Sequence, residues 1–326
     1  MEGYVLHSYG PEKYLRHAVA SALTIRRHDE RRPIALYADA EQIALLRKTG
    51  LDGIFELLRF LPTEHRSIVG FKHYLHRFSP FDKNLFVDGD MVWCKNPDPL
   101  WKQLSAFSYT ATGVERADFF FGGPKGAGVI AHFIADRRRK TMRRFDVTYL
   151  PRIQAGMIYS GDTETTRQVC EEAASLLNRR AETHFGSRLH EGRNEESCEW
   201  SIALAMSRLD LPVFHWYQGQ NTPQMDYVDG FVRHDRDFEE VSCLYNNDRF
   251  VHELRGIPNK MIRDLCIRFF SALPGKGDHM WITPYVLHFG WLRYKKTYSD
   301  FADLLWNRAV MKAKTETDPT PIPAHS

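Results

Sequence analysis

Short apolar stretches alternate with segments of helical periodicity over the first hundred residues. Tyr4 to His7, Ile34 to Asp39 and Lys83 to Val87 are short apolar runs, which predict buried strands. Tyr14 to Ile25 follows the first run with apolar residues at helical spacing, and Glu41 to Lys48 follows the second in the same way. Because strands that alternate with helices pair in parallel, this pattern predicts a doubly wound α/β fold.

The pattern is less regular after residue 100, and no internal repeat interrupts it. Residues 1–310 are therefore expected to form one large domain, and the polar, proline-containing residues 311–326 a disordered tail. Phe119 to Gly128 is glycine-rich and a candidate lid hinge, although it lacks the GxxxxGK spacing of a phosphate-binding loop. The further predicted strands are a weak one near Phe55, then Ser108 to Gly113, Ala155 to Gly161 and Pro284 to Gly290; the further predicted helices are Phe71 to Phe78, Thr163 to Asn178, Glu196 to Leu209 and Phe301 to Val310.

The composition is that of a globular protein without a membrane-spanning segment. Of the 326 residues, 43% are apolar and 26% are charged, and no run approaches the roughly 18 consecutive apolar residues that a spanning helix needs. Five scattered cysteines, never paired as CxxC, indicate reduced thiols rather than a disulfide framework or a zinc site. The N-terminus lacks the basic and apolar pattern of a secretory signal, so we expect a cytoplasmic protein.

The net charge of +3 is unevenly distributed. Between Arg116 and Arg152 there are nine basic and three acidic residues, a local charge of +6, so the remainder of the chain carries −3. Such an island indicates either an anionic partner or a solvated helix face. The anionic partner could be an acceptor substrate, or a membrane that residues 137–144 contact peripherally. No nucleic acid partner is expected.

The most informative stretch is a predicted strand that runs directly into two carboxylates. Leu85-Phe86-Val87 leads into Asp88-Gly89-Asp90, and Asp-Gly between apolar runs is also a hairpin signal. The run does not alternate with polar residues, however, and two nearby prolines leave no room for a long return strand. Carboxylates two residues apart point to one face of an extended chain, where a cation would relieve their repulsion. Oxygen ligands of this kind suit Mg²⁺ or Mn²⁺.

The segment HRFSPFDKNLFVDGDMVWCKNPDPLW resembles the core of retaining GT-A glycosyltransferases of family eight, the group of glycogenin and the bacterial lipopolysaccharide galactosyl- and glucosyltransferases. Further pieces occur in the order of the family. Three of them depart from the family pattern: Gln replaces Asn at 154, Glu-Trp replaces Asp-Gln at 199–200, and the C-terminal motif is compressed. The matching residues are Lys72, Asp82-Lys83, Leu85, Asp88-Gly89-Asp90, Asp98-Pro99-Leu100, Gln154-Ala155-Gly156, Glu199-Trp200, His288-Phe289-Gly290, Arg293, Lys295 and Lys296.

This resemblance implies a single GT-A domain with a nucleotide-binding half at 1–100 and an acceptor-side half at 101–310. It implies metal-dependent transfer of a sugar, with retention, from a nucleotide-sugar donor linked to UDP onto a glycan or lipid-linked acceptor. Asp88, Asp90 and His288 would hold Mn²⁺ or Mg²⁺, and Gln154 and Glu199 would contact the transferred sugar, whereas Trp200 is expected in the core. The residues expected to contact the donor are Leu6, His7, Ser8, Tyr9, Tyr37, Asp39, Lys72, Asp88, Gly89, Arg293 and Lys295.

Other functions remain open at this point. A sugar-nucleotidyltransferase shares the fold class, although such enzymes usually carry a glycine-rich, basic loop after the first strand, and HSYGPEKY is a poor version of that loop. A non-catalytic module that binds a nucleotide sugar is the other alternative. Without the resemblance, His288 would be interpreted as a core histidine and the nearby lysines as solvated surface residues.

Overall fold

The computed structural model describes residues 1–118, 120, 131, 134–192, 194–246, 251, 254–257, 259–274 and 279–317. The strands in these ranges are β1 (Glu2–Ser8), β2 (Ile34–Ala38), β3 (Leu57–Phe60), β4 (Lys83–Val87), β5 (Met91–Trp93), β6 (Tyr109–Val114), β7 (Arg152–Ser160), β8 (Phe214–His215), β9 (Gln224–Asp226), β10 (Val232–His234), β11 (Val241–Asn246), β12 (His279–Ile282) and β13 (Val286–His288). Seven of them form a sheet in the order β3-β2-β1-β4-β7-β6-β8. Only β7 runs antiparallel to its neighbours. The predicted α/β fold with a mostly parallel sheet is therefore confirmed.

Helices cover both faces of this sheet. α6 (Thr163–Leu176) and α7 (Glu199–Arg208) pack in one apolar core cluster, and α1 (Glu12–His28) and α9 (Lys295–Thr317) pack in the other. The predicted glycine-rich hinge from Phe119 to Gly128 lies outside the described residues except for Phe120. The helices are α1 (Glu12–His28), α2 (Ala40–Thr49), α3 (Ile68–Lys72), α4 (Asp98–Leu104), α5 (Arg137–Arg144), α6 (Thr163–Leu176), α7 (Glu199–Arg208), α8 (Lys260–Ser271) and α9 (Lys295–Thr317).

The central strands lack polar alternation because both of their faces are covered. Successive side chains of a strand point to opposite faces, so Phe86 packs in the core cluster of α7 while Leu85 and Val87 pack in the cluster of α1. Leu6 in β1 belongs to the second cluster and is fully buried. Its side chain is part of the core, which leaves the backbone of Leu6 for the predicted contact with the donor, and that contact stays a prediction.

The hairpin interpretation of Asp88-Gly89-Asp90 is wrong, because β4 and β5 do not pair with each other. β4 pairs with β1 and β7 in the large sheet. β5 belongs to a second, three-stranded sheet in which β13 lies between β5 and β9. The Asp88-Gly89-Asp90 segment therefore connects two sheets. It follows the carboxyl end of the buried strand β4 and precedes the short strand β5, which lies at the edge of the second sheet.

The C-terminal part of the chain adds a third sheet and the last two helices. β11 lies between β10 and β12, with all pairings antiparallel. α9 continues to Thr317, so residues 311–317, which the sequence assigned to a disordered tail, are helical. The five cysteines are free thiols, as predicted. Within the described ranges, no helix combines the length and the apolar character needed to cross a bilayer.

Candidate functional site

The Asp88-Gly89-Asp90 segment is held in place by backbone contacts on both sides. The Asp88 amide donates to the carbonyl oxygen of Gly156 at 2.9 Å, which continues the β4–β7 pairing by one residue. A side chain at Gly89 would lie 3.3 Å from the backbone of Ala18 in α1. We expected this glycine to let the backbone approach the donor, but the close approach that it permits is to α1.

The second sheet brings His288 to the two carboxylates. In the β13–β5 pairing His288 lies opposite Met91, and the amide of the next residue, Phe289, donates to the carbonyl of Asp90 at 3.0 Å. The His288 Nε2 atom is 3.6 Å from Asp90 Oδ1. One ligand atom each from Asp88, Asp90 and His288 lies within 4.8 Å of the others. The structure therefore brings together the three predicted ligands, which we call the metal cluster.

Asp226 is a residue of this site that the sequence reading missed. β9 and β13 lie in parallel with Asp226 opposite His288, and Asp226 Oδ1 is 2.8 Å from His288 Nδ1. An acceptor at this distance favours the imidazole proton on Nδ1, which leaves the Nε2 lone pair facing the carboxylates, whereas the Gln154 amide nitrogen at 2.7 Å from the same Nδ1 favours the opposite tautomer. The indole of Trp291 donates to the other oxygen of Asp226 at 2.9 Å. No sequence pattern signals this contact, because 62 positions separate the two residues.

Two lysines pair with the carboxylates of the metal cluster. Lys72, buried to 6% exposure, lies 3.0 Å from Asp88 Oδ1 and donates to the carbonyl of Ala155 at 2.7 Å. Lys295 pairs with Asp90 from the first turn of α9. Burial alone would lower the pKa of Lys72, but Asp88, Cys198 and Glu199 together outweigh burial and the net pKa is raised. Burial likewise opposes ionisation of Asp88, but Lys72 holds the pKa of Asp88 below its usual range.

Gln154 and its neighbours fill the space behind His288. The Gln154 Nε2 atom lies 2.7 Å from His288 Nδ1 and 3.4 Å from Asp226 Oδ1. Gln224, another residue that the sequence reading did not identify, donates to Gln154 Oε1. A side chain at Gly156 would lie 2.7 Å from Met91 Cε, 3.3 Å from Asp88 Oδ2 and 3.6 Å from His288 Nε2. Gly156 therefore keeps open the space that the metal cluster surrounds.

Glu199 reaches the same strand from the first position of α7. Burial raises the pKa of its carboxyl group, while Lys72 and a hydrogen bond from the Ala155 backbone act in the opposite direction. Lys72 and Glu199 thus meet at Ala155, next to Asp88. Trp200 is 1% exposed, which confirms that it belongs to the core.

The residues predicted around the nucleoside are only partly available to a ligand. Tyr37 packs among Phe71 and Phe78, and both Asp39 oxygens accept backbone N–H groups, one from Gln42 at the start of α2 and one from Gly10. Tyr37 and Asp39 thus have structural contacts, and their contact with the donor stays a prediction.

The end of β1 is the better candidate for the nucleoside. The His7 ring stacks on Phe71 at 4.3 Å, and burial lowers the pKa of His7 to about 4. Ser8 is buried, and its hydroxyl has no hydrogen-bond partner among the described residues. Tyr9 is half-buried, and its hydroxyl lies 3.2 Å from the Glu195 carboxylate. Glu195 also accepts the Ile68 amide at 2.8 Å, so it links the end of β1 to the start of α3.

The three C-terminal cations point in different directions. Lys295 reaches the metal cluster, whereas Lys296 is exposed and pairs with Asp300 one turn later. Arg293 is exposed, and its guanidinium lies 5.2 Å from the ring centre of Trp291 and 4.8 Å from that of Tyr294. Only Lys295 of this group contacts a carboxylate of the metal cluster.

The basic island forms an exposed surface on α5. Arg138 is half-buried and lies 3.7 Å from Asp118, while the other cations of the helix face solvent. The chain reaches α5 from the end of β6 and leaves it towards the start of β7, where Thr112 pairs with Gln154. The helix is thus joined to the site by two adjacent strands. Its exposed cations, which we call the basic face, are Arg137, Arg139, Lys140, Arg143 and Arg144.

The metal cluster has the composition expected for a divalent cation. Two carboxylates and one imidazole are ligands that Mg²⁺ and Mn²⁺ accept, and the imidazole favours Mn²⁺. The histidine has the outer carboxylate partner that is typical of metal-bound imidazoles. Gly156 leaves the centre of the cluster free of a side chain. The residues present therefore fit the cation that the sequence predicts.

Comparisons with known proteins find similar folds but no similar sequences. Neither protein-family models nor curated proteins give a match. Among solved structures, the chain is similar to the galactosyltransferase LgtC in complex with donor and acceptor sugar analogs, at 10% identity and a TM-score of 0.48 over 99% of this chain and 98% of that one. It is similar to the apo form of the glycosyltransferase GlyE of Streptococcus pneumoniae, at 12% identity and a TM-score of 0.49 over 100% and 66% of the two chains. It is also similar to mouse xyloside xylosyltransferase 1, at 11% identity and a TM-score of 0.45 over 69% and 88%.

At these identities the likeness concerns the course of the chain and says nothing about donor, acceptor or metal. The proposed function therefore rests on the site itself. These three structures are of glycosyltransferases, and the chain is also similar to a putative glucose-1-phosphate thymidylyltransferase from Bacillus anthracis, at 10% identity and a TM-score of 0.33 over 64% of this chain and 96% of that one.

Proposed function

We propose that this chain is a metal-dependent glycosyltransferase that moves a sugar from a UDP-linked donor to a glycan or lipid-linked acceptor. The observation that carries the proposal is the metal cluster at the carboxyl end of β4, with Lys72 and Lys295 beside it. In open α/β sheets, ligands bind beyond the carboxyl ends of the strands. A site that combines a divalent-cation cluster with two ammonium groups suits a ligand with a concentrated negative charge.

A diphosphate leaving group is such a ligand. Mn²⁺ or Mg²⁺ bound by Asp88, Asp90 and His288 would supply Lewis-acid neutralisation of the diphosphate. Lys295 extends from the start of α9 to the same cluster, so we assign it to the diphosphate as well, with Arg293 as an outer contact. Lys72 holds Asp88 in its ionised form and fixes the backbone of Ala155.

The nucleoside and the transferred sugar are assigned to opposite sides of the metal cluster. We place the nucleoside against His7, Ser8 and Tyr9 at the end of β1, where the half-buried Tyr9 ring offers a stacking surface. We place the sugar against Gln154 and Glu199, which lie on β7 and at the start of α7. Burial raises the pKa of the Glu199 carboxyl, whose role would be to hold sugar hydroxyls in position. No side chain is assigned as a general base, and retention would follow from attack on the face that the diphosphate leaves.

We assign the acceptor to the side of the basic face. The strands that lead to and from α5 meet at the pair of Thr112 and Gln154, so an acceptor bound there would approach the sugar-binding residues. Five exposed cations on one helix favour an anionic acceptor, such as a phosphorylated or acidic glycan or a lipid-linked one. The helix thus supplies attraction and orientation, and the chemistry stays at the metal cluster.

Nucleotide binding with and without metal tests the proposal. Calorimetry with UDP should give tighter binding in Mn²⁺ than in EDTA, and at about a hundred times the dissociation constant the protein should gain about 2.7 kcal/mol of stability. Asp90→Ala should abolish sugar transfer and leave the thermal unfolding transition near that of the wild type, because the carboxylate lies at a strand end. Equal UDP affinity with and without metal would contradict the metal-dependent mechanism.

A panel of nucleotide sugars separates the proposal from its alternatives. A transferase should release UDP from one donor and move the labelled sugar to an acceptor. A nucleotidyltransferase would instead form a nucleotide sugar and pyrophosphate from a sugar phosphate; only Tyr9, Gly10 and Pro11 connect β1 to α1, which leaves no basic loop for that reaction. A binding module would bind the donor and release nothing.

A further inference from the structure

α8 exposes a continuous row of large apolar side chains. Met261, Leu265 and Phe269 are 77%, 67% and 61% exposed and are spaced four residues apart. Residues at that spacing lie above one another on a helix, and Ile262 and Leu273, also exposed, extend the row. These five residues are called the apolar stripe.

The apolar stripe is a cluster rather than a scatter of surface residues. Five of the thirteen large apolar residues that are exposed among the described residues fall between 261 and 273. Elsewhere they occur singly, as Tyr14, Phe60 and Met311 do. Single exposed apolar residues are ordinary in proteins, but a contiguous patch indicates an interaction surface.

The opposite side of α8 fixes the helix to the protein. Ile267 packs in a small core cluster with Val228, Phe231 and Val251. The buried guanidinium of Arg263 donates to the carbonyl of Asp229 at 3.1 Å. The helix therefore already has a buried face, and the apolar stripe is a second apolar face that the described residues leave in solvent.

The charges around the stripe are basic on the exposed side. Lys260 stands at the first position of α8 and Arg268 two turns later, and both are exposed, although Lys260 also lies 3.5 Å from the exposed Asp229 carboxylate. Asp264 is the acidic residue of the helix, and Arg263 lies 3.1 Å from it. An apolar face flanked by lysine and arginine is the pattern of helices that lie in the interface of an anionic bilayer.

The size of the stripe favours a membrane over a second copy of the chain. A helix of 12 residues is about 18 Å long and about 10 Å wide, so its face covers roughly 200 Å². A stable protein interface needs roughly 800 Å² on each partner. A bilayer sets no such minimum, because it accepts a convex helix to a depth of about 5–10 Å.

We propose that α8 docks the protein on an anionic membrane surface, with the apolar stripe inserted at the level of the headgroups and Lys260 and Arg268 at the lipid phosphates. The sequence predicted a membrane contact through residues 137–144. These residues form α5, which carries exposed charges but no exposed row of apolar side chains. The proposal goes beyond the proposed function and does not depend on which reaction the site performs.

Sedimentation with phospholipid vesicles tests the proposal. The full-length chain should bind vesicles of phosphatidylcholine mixed with phosphatidylglycerol, bind pure phosphatidylcholine less, and dissociate partly as salt is raised. The double variant Leu265→Glu/Phe269→Glu should lose roughly tenfold or more of this binding. Met311→Glu, at an equally exposed apolar residue of α9, is the matched control and should bind like the wild type. Both variants should keep UDP affinity and the wild-type unfolding temperature.

Three results would overturn the proposal. In the first, the double variant binds vesicles as the wild type does. In the second, replacing the arginines of the basic face with serine abolishes vesicle binding while the double variant retains it. In the third, the wild type is a dimer by light scattering that the double variant converts to a monomer, with no vesicle binding by either. Because UDP affinity is measured separately, each of these results leaves the proposed function standing.

Discussion

Replacing Asp226 with asparagine tests how much the hydrogen bond between Asp226 and His288 contributes to metal binding. In the structure Asp226 Oδ1 accepts from His288 Nδ1 at 2.8 Å, and Asp226 Oδ2 accepts from the Trp291 indole at 2.9 Å. Asparagine has nearly the same shape but only one acceptor oxygen. If that oxygen faces His288, the amide N–H₂ faces the indole N–H. If the amide N–H₂ faces His288, it favours the tautomer with the proton on Nε2, which is the ligand atom.

One orientation of asparagine therefore opposes two donors at the indole, and the other places the imidazole proton on the atom that would bind the metal. Loss of an outer partner of a metal-bound histidine weakens metal binding by about 10- to 100-fold. Each factor of ten is worth about 1.4 kcal/mol, so the cost is about 1.4–2.8 kcal/mol of metal-binding free energy. Because both oxygens of Asp226 are in use, we expect a value in the upper half of this range.

Calorimetric titration with Mn²⁺ in the presence of UDP measures the effect directly. Trp291→Phe removes the bond to Oδ2 and keeps the bond to Oδ1, so it should cost less than Asp226→Asn. Asp300→Asn changes an exposed carboxylate that pairs with Lys296 away from the site, and it should leave Mn²⁺ affinity unchanged. The reasoning is refuted if Asp226→Asn binds Mn²⁺ as tightly as the wild type while His288→Ala does not.

Three further predictions concern the site, its stability and the acceptor. Gly156→Ala should weaken Mn²⁺ binding, because its methyl group would lie 2.7 Å from Met91 Cε and 3.3 Å from Asp88 Oδ2, so that side chains beside the metal cluster would have to shift. Gly53→Ala, where the added atom meets nothing within 4 Å, should not weaken it, and equal losses in the two variants would exclude this cause. Burial lowers the pKa of His73 from 6.5 to about 4. Between these two pH values the His73 imidazole is protonated in the unfolded chain and neutral in the folded one. The free energy of unfolding should therefore fall by at most about 3 kcal/mol as the pH drops from 6.5 to 4. Urea unfolding across this range should show a shallower decline in His73→Gln, and an unchanged slope would exclude His73 as a contributor. Replacing the arginines of the basic face with serine should raise the KM for the acceptor, more strongly at low salt, and should leave the rate of donor hydrolysis unchanged. If sugar transfer depends neither on salt nor on these substitutions, the basic face is a solvated surface without a role in acceptor binding.

The sequence by itself determined the order of strands and helices in the first hundred residues and the position of the carboxylate pair. Periodicity reports which sides of an element are buried, so Leu85, Phe86 and Val87 could be recognised as a strand covered on both faces. The position of Asp88 and Asp90 after that strand follows from adjacency in the chain, and so does the prediction that they share a cation. These inferences needed no knowledge of distant residues. The resemblance to a family then suggested His288 as the third ligand.

Only the tertiary structure decided which distant residues complete the site. Asp226 and His288 meet because β9 and β13 pair in one register, and Lys295 meets Asp90 across 205 positions because α9 begins beside β13. It also showed the structural contacts of Leu6, Tyr37 and Asp39, whose positions near strand ends suggested donor contacts that stay predictions. Leu6 and Tyr37 are packed in the core, and the Asp39 oxygens are used by backbone amides. The physical reason is that periodicity records whether a side chain is buried, whereas its partner depends on sheet register and helix packing between segments far apart in the chain.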